Sequence, residues 1–124
     1  MANETLLRIL DGEANAFQKI DRRWRPVALV PVQFRGKLLA DVKARYVELE
    51  AARPELATLD RADIYIKYLY RMRLAVRQAR FSWRFDDLSF IQAISDFYTA
   101  YGSVLRLLAV DKARGRLEII EKGV

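Results

Sequence analysis

The sequence predicts an all-α protein, a four-helix bundle or a related helical array with a short C-terminal β-element. Three observations predict it. Apolar residues recur at three, four and seven through four long segments, the spacing of one buried helix face. Helix stop and start signals separate those segments, at Pro26, at Arg53-Pro54 and at Asp86-Asp87. The composition is that of a chain that folds around a core: 52% hydrophobic, 31% charged, with only five Gly and three Pro. At 124 residues one domain spanning 1–124 is expected, burying roughly two-thirds of the unfolded chain's surface.

The first helix is predicted over about 4–25. Asn3 suits its N-cap and Glu4 its first turn, where the helix dipole favours an anion. Leu6, Leu10, Phe17, Ile20 and Trp24 form its apolar stripe, Gly12 weakens its middle, and Pro26 ends it. Val27 to Val32, interrupted by Pro31, reads as an extended connector. The second helix is predicted over 33–52, with Leu39, Val42, Tyr46 and Leu49 facing the core. After Arg53-Pro54, residues 55–59 form a short connector, at most one helical turn.

The third helix is predicted over 61–80, with Asp60 as its N-cap and Asp63 in its first turn. At about 100° per residue, Tyr65, Tyr68, Leu69, Met72, Val76 and Ala79 share one sector. Arg73, Arg77 and Arg80 line up beside it, and Tyr70, Leu74 and Phe81 form a third, smaller apolar sector. The fourth helix is predicted over 88–108, with a stripe from Leu88 through Ile91, Ile94, Phe97, Tyr98, Tyr101, Val104 and Leu105 to Leu108. Asp111 to Gly115 reads as a turn and 116–121 as a short strand, which needs a partner to be stable.

With no Cys and no His in the chain, thiolate and imidazole chemistry are excluded, as nucleophile, base or metal ligand. The five glycines are scattered, so no phosphate-cradling loop exists. No catalytic residue, metal site or cofactor is expected, and the chain reads as a non-enzyme. Charges recur every few residues, which argues against a membrane span. The N-terminus lacks the basic-then-apolar pattern of a secretory signal, so a cytoplasmic protein is expected.

The net charge of +6 has a location. Between Arg61 and Arg84 seven basic residues face a single acid, Asp63, so this segment carries the whole surplus. A concentrated basic stripe points to a polyanion or an acidic partner. Arginines one helical turn apart suit successive phosphates, and guanidinium suits bidentate contact. The candidate nucleic-acid-binding set is Lys67, Arg71, Arg73, Arg77, Arg80, Arg84 and Trp83. The competing reading pairs these arginines with acids on neighbouring helices, such as Glu48, Glu50 and Asp96. The rings of Phe81, Trp83 and Phe85 either close the core between two helices or, if exposed, stack on bases.

Tyrosines on the basic helix and a face of small residues on the fourth helix suggest an interface with other subunits or a second copy. Its candidates are Tyr65, Tyr68, Tyr70, Ser95, Thr99, Gly102 and Ser103. The expectation from sequence is therefore a small non-catalytic subunit of a larger assembly. It would contact the nucleic-acid backbone, DNA or RNA, without reading sequence, as small helical subunits of ribonucleoprotein effector complexes do. The alternative is a structural or adaptor protein of an oligomeric particle, for example a phage component, or an inhibitor binding another protein, with no nucleic-acid role.

Overall fold

The computed structural model describes residues 4–12, 32–84 and 86–117. Of these residues 86% are helical, and no strand occurs among them. The helices are α1 (residues 4–12), α2 (Val32–Ala51), α3 (Arg53–Leu56), α4 (Ala62–Ser82) and α5 (Asp87–Ala113). Several expectations lie outside the described residues: the Asn3 cap, the first helix from 13 to 25, the 27–31 connector, Phe85 and a strand over 118–121. Arg116 and Leu117, where that strand would begin, belong to no strand, and Leu117 is buried.

The fold is organised by α4 and α5, which make the most extensive helix contact of the described chain. Their buried residues explain it. On α4 these are Tyr65, Leu69, Met72, Val76 and Ala79; on α5 they are Phe90, Ile94, Phe97, Tyr101, Val104, Leu108 and Asp111. Both series alternate steps of four and three, a period of 3.5 that keeps one seam facing the partner helix. Residues 83–86 join the end of α4 to the start of α5, while Tyr65 near the start of α4 meets Asp111 near the end of α5. The pair is therefore an antiparallel helical hairpin. Ala75 and Ala79 on α4 and Ala93 and Ala100 on α5 are also buried, and these small side chains let the backbones approach.

This seam corrects the expected stripe of α5 at its start. Leu88 is 75% exposed, whereas Phe90 is fully buried. The helix also runs to Ala113 rather than to 108, so Asp111 is not in a turn. It occupies the next core position of the seam and is acceptable there because its carboxylate is satisfied. Tyr65 Oη donates to Oδ2 at 2.5 Å and Arg61 Nη2 donates to Oδ1 at 3.1 Å. Two residues past the helix stands Gly115, whose φ of +74° is the left-handed conformation glycine adopts freely. Gly115 N–H donates to the Lys112 carbonyl and Arg116 N–H to the Asp111 carbonyl, the paired bonds of a Schellman ending.

At the other end of α5, Asp86 caps as expected: its carboxylate accepts from the Ser89 N–H at 3.0 Å and from the Ser89 hydroxyl at 2.8 Å. These bonds hold its carboxyl below the usual carboxylate range. Asp60 does not cap α4. Arg61 occupies that position without a side-chain cap bond, and Asp60 pairs instead with Arg116 Nε at 3.2 Å.

The remaining helices cover the hairpin. α2 lies against α4 through Val42 and Leu49, both fully buried. Arg35 of α2 is 4% exposed and donates to the Trp83 carbonyl at 3.1 Å, placing a cation at the C-terminal end of α4 where the helix dipole favours one. α1 buries Leu6, Ile9 and Leu10. Its first turn donates the Leu6 N–H to Glu55, and Arg8 pairs with Glu48. No helix among the described residues is long and apolar enough to cross a membrane.

Candidate nucleic-acid interface

Because the α4 seam takes the positions from Tyr65 to Ala79, the arginines between them are turned outward. Lys67, Arg71, Arg73, Arg77, Arg80 and Arg84 are all exposed. Arg73, Arg77 and Arg80 line one groove of about 480 Å³ together with Tyr46 of α2, Val76 and Phe81. The volume is within the range of small-molecule sites, roughly 300–1,000 Å³.

Of the acids that were candidates to neutralise this stripe, two pair with other arginines, while Asp96 takes its hydrogen bond from a neutral amide and lines an open groove together with Arg71 and Arg77. Glu48 pairs with Arg8 at 3.1 Å. Glu50 accepts from Arg53 through both carboxylate oxygens, at 2.6 and 3.1 Å. Asp96 accepts from Gln92 at 2.7 Å. Among the described residues Arg73, Arg77 and Arg80 make no ion pair. The bond from Arg53 holds the Glu50 carboxyl below its usual range against the opposing effect of partial burial, and Arg73 adds a weaker pull. Tyr46 feels the reverse: burial first, then Glu50, raise its phenol above the ordinary value.

The other expected nucleic-acid residues are not in this groove. The Arg71 guanidinium lies 5.5 Å from the Tyr68 ring centroid and that of Arg84 lies 4.5 Å from the Trp83 ring centroid, both at cation–π range. Lys67 is exposed further towards the N-terminal end of α4. Trp83 is half-buried and packs against the core. A methyl group added at Gly36 would come 3.9 Å from its ring. With the core below and Arg84 over it, Trp83 is a poor stacking platform.

The exposed rings of α4 are Phe81, at 68%, and Tyr70 at 57%, with Leu74 at 44%. Phe81 stands four residues after Arg77, so both share one helix face. Reading the 81–85 run as a core-closing corner hides this residue, although the sector that joins Tyr70, Leu74 and Phe81 points to it. Tyr46 is likewise missed as a groove residue because its spacing on α2 marks it as core.

The expected interface set divides. Tyr65 is fully buried and bonded to Asp111, so it is a core residue and no contact for a partner. Gly102 is buried and Ser95 half-buried. Thr99 and Ser103 do line a surface, one wall of an open groove of about 760 Å³ between α4 and α5 that Tyr68, Arg71, Leu74 and Phe81 face from the other helix. Ser103 Oγ donates to the Thr99 carbonyl, folding that hydroxyl back onto its own helix. Tyr68 is half-buried against the core, which leaves Tyr70 as the exposed tyrosine of the set, with Thr99 also exposed.

The chain matches no family model, no curated protein and no solved structure. Its functional reading rests on the chemistry of this surface.

Proposed function

We propose that this protein is a small non-catalytic subunit that contacts the backbone of a nucleic acid through α4, inside a larger assembly. The observation that carries this reading is the groove walled by Arg73, Arg77 and Arg80, none of which makes an ion pair among the described residues. Guanidinium groups are weakly hydrated and present forked donors that match phosphate oxygens. Three of them on one groove form a site for anions in series, and a phosphodiester chain supplies such a series. Nothing in the groove offers paired amide groups for reading base edges, so binding is sequence-independent.

The test is fluorescence anisotropy with labelled DNA and RNA, single- and double-stranded, at two salt concentrations. Changing Arg73, Arg77 and Arg80 together to Gln keeps helix propensity and removes three charges. Affinity should fall by a similar factor for every sequence. The log–log salt slope should shrink by about 0.7–0.9 for each lost phosphate contact. The melting temperature should stay within a few degrees of the parent, because these side chains are exposed and unpaired. Unchanged binding by the triple variant would refute the proposal.

One observation favours the rival reading, a structural or adaptor protein of an oligomeric particle. Tyr70, Leu74 and Phe81 are large apolar side chains exposed on one face of α4. An apolar protein contact there would be nearly insensitive to salt, whereas a phosphate contact weakens steeply as salt rises. Light scattering at several concentrations reports whether that face joins copies of the chain.

A further inference from the structure

The groove holds more than cations. Phe81 stands at its rim, more than two-thirds exposed, and Tyr46 lines it from α2. Val76 adds an apolar side chain to the same lining. A phosphate chain alone gives no reason for this. Phosphate oxygens gain nothing from an aromatic face, and an exposed phenyl ring costs solubility. A nucleotide with its base turned out of any stack accounts for both halves of the groove, the arginines for its phosphate and the ring for its base.

Resting on the proposed function, we propose that the α2–α4 groove takes one unpaired nucleotide of a single strand, its phosphate among Arg73, Arg77 and Arg80 and its base against Phe81. In a duplex both faces of every base are already covered by neighbours, so the ring could engage one only after unstacking it at a cost of a few kcal/mol. A single strand pays far less. Stacking is also tolerant of sequence, because every base has a π-face. This agrees with a groove that lacks base-edge donors and acceptors. The geometry therefore selects strand state and not sequence.

The experiment uses the full chain and three labelled probes: an oligothymidylate strand, an abasic strand of the same length, and a duplex of matched charge. The oligothymidylate should bind about 10-fold more tightly than the abasic strand. It should also bind more tightly than the duplex. Phe81→Leu keeps an apolar side chain on an exposed position and should not disturb folding, which circular dichroism checks. It should weaken oligothymidylate binding about 10-fold and leave the abasic strand unaffected. Phe81→Trp should restore the preference.

Equal affinity for the oligothymidylate and abasic strands, or no effect of Phe81→Leu on either, overturns the stacking proposal. If Arg73, Arg77 and Arg80→Gln still lowers affinity in that case, the backbone reading survives alone. If the triple variant binds like the parent, if no probe binds, or if polyglutamate of equal charge binds more tightly than every nucleic-acid probe, both readings fall. The last result would identify α4 as a surface for an acidic protein.

Discussion

Replacing Asp111 by Ala should cost about 3 kcal/mol, and the structure shows where that loss comes from. The carboxylate is fully buried and holds three groups at once. Tyr65 donates its hydroxyl at 2.5 Å, Arg61 its guanidinium at 3.1 Å, and Arg116 stands at 3.7 Å. Tyr65 is also fully buried, so its hydroxyl has no route to water once the carboxylate is gone. A stranded buried donor costs ~1–3 kcal/mol. Arg61 is 28% exposed and can turn its charge outward to water, which keeps its share well below the ~3–5 kcal/mol of breaking a fully buried pair. Against a total stability of about 5–15 kcal/mol, such a loss is large. It should lower the melting temperature by about 10 °C. Urea melts of the parent, Asp111→Ala, Tyr65→Phe and the double variant form a cycle. Tyr65→Phe alone should cost ~1–1.5 kcal/mol, since Asp111 keeps its arginines. The double variant should be more stable than simple addition predicts, because no hydroxyl is left stranded. An Asp111→Ala cost below ~1 kcal/mol would show that the cluster does not tie the end of α5 to the start of α4.

The same cluster predicts a pH dependence. Burial, then the bond to Asp111, push the Tyr65 phenol well above the ordinary tyrosine value of 10.0. The folded protein thus keeps a proton that the unfolded chain releases, so this contribution is intact below about pH 10 and declines as pH rises beyond it. Alkaline melts of Tyr65→Phe should lose that part of the slope. Gly115→Ala should destabilise by ~1 kcal/mol, because φ is +74° while no side chain stands within 4 Å of the new methyl, leaving backbone strain as the cost. Gly36→Ala should instead stabilise by ~0.5–1 kcal/mol, since Gly36 lies inside α2 and the methyl would meet only the Trp83 ring at ordinary contact distance. Thermal melts followed by circular dichroism test both glycines.

The parts of the fold legible in the sequence are those where one force dominates. The α4 stripe from Tyr65 to Ala79 is apolar and periodic, and every residue of that stripe except the half-buried Tyr68 is buried as expected. Asp86 is a strong cap with a serine placed to receive it. The misreadings occur where two signals compete. A polar run from Asp111 to Gly115 looks like a turn because an aspartate in a helix core is costly without partners. Its partners, Tyr65 and Arg61, lie some fifty residues earlier, and no local window contains them. Asp60 has the chemistry of a cap, but Arg116 from beyond the other end of the hairpin competes for its carboxylate. Leu88 has the chemistry of a core residue, but the 3.5-residue seam shared with α4 rotates it outward and brings Phe90 in.

The arginine stripe was legible as a charge surplus and illegible as a site, and the difference lies in the acids. From sequence alone Glu48, Glu50 and Asp96 are each able to neutralise Arg73, Arg77 or Arg80, and a stripe so paired would be part of the scaffold. The structure assigns each acid to a different partner: Arg8 for Glu48, Arg53 for Glu50 and Gln92 for Asp96. Arg53 follows Glu50 by three residues, an arrangement in which the two side chains meet on one helix turn whatever the tertiary fold. Gln92 and Asp96 are likewise one turn apart on α5. Glu50 is therefore neutralised locally and Glu48 by a distant arginine, whereas Gln92 gives Asp96 a hydrogen bond without a counter-charge, in a groove that Arg77 also lines. The hairpin seam does not use the stripe either, since its positions lie on other faces of α4. Like charges on neighbouring turns repel, so an unpartnered stripe is a cost to the folded monomer that scaffold packing does not repay. A bound polyanion removes that repulsion, which is why binding should raise the melting temperature at low salt and lose this effect as salt screens the arginines.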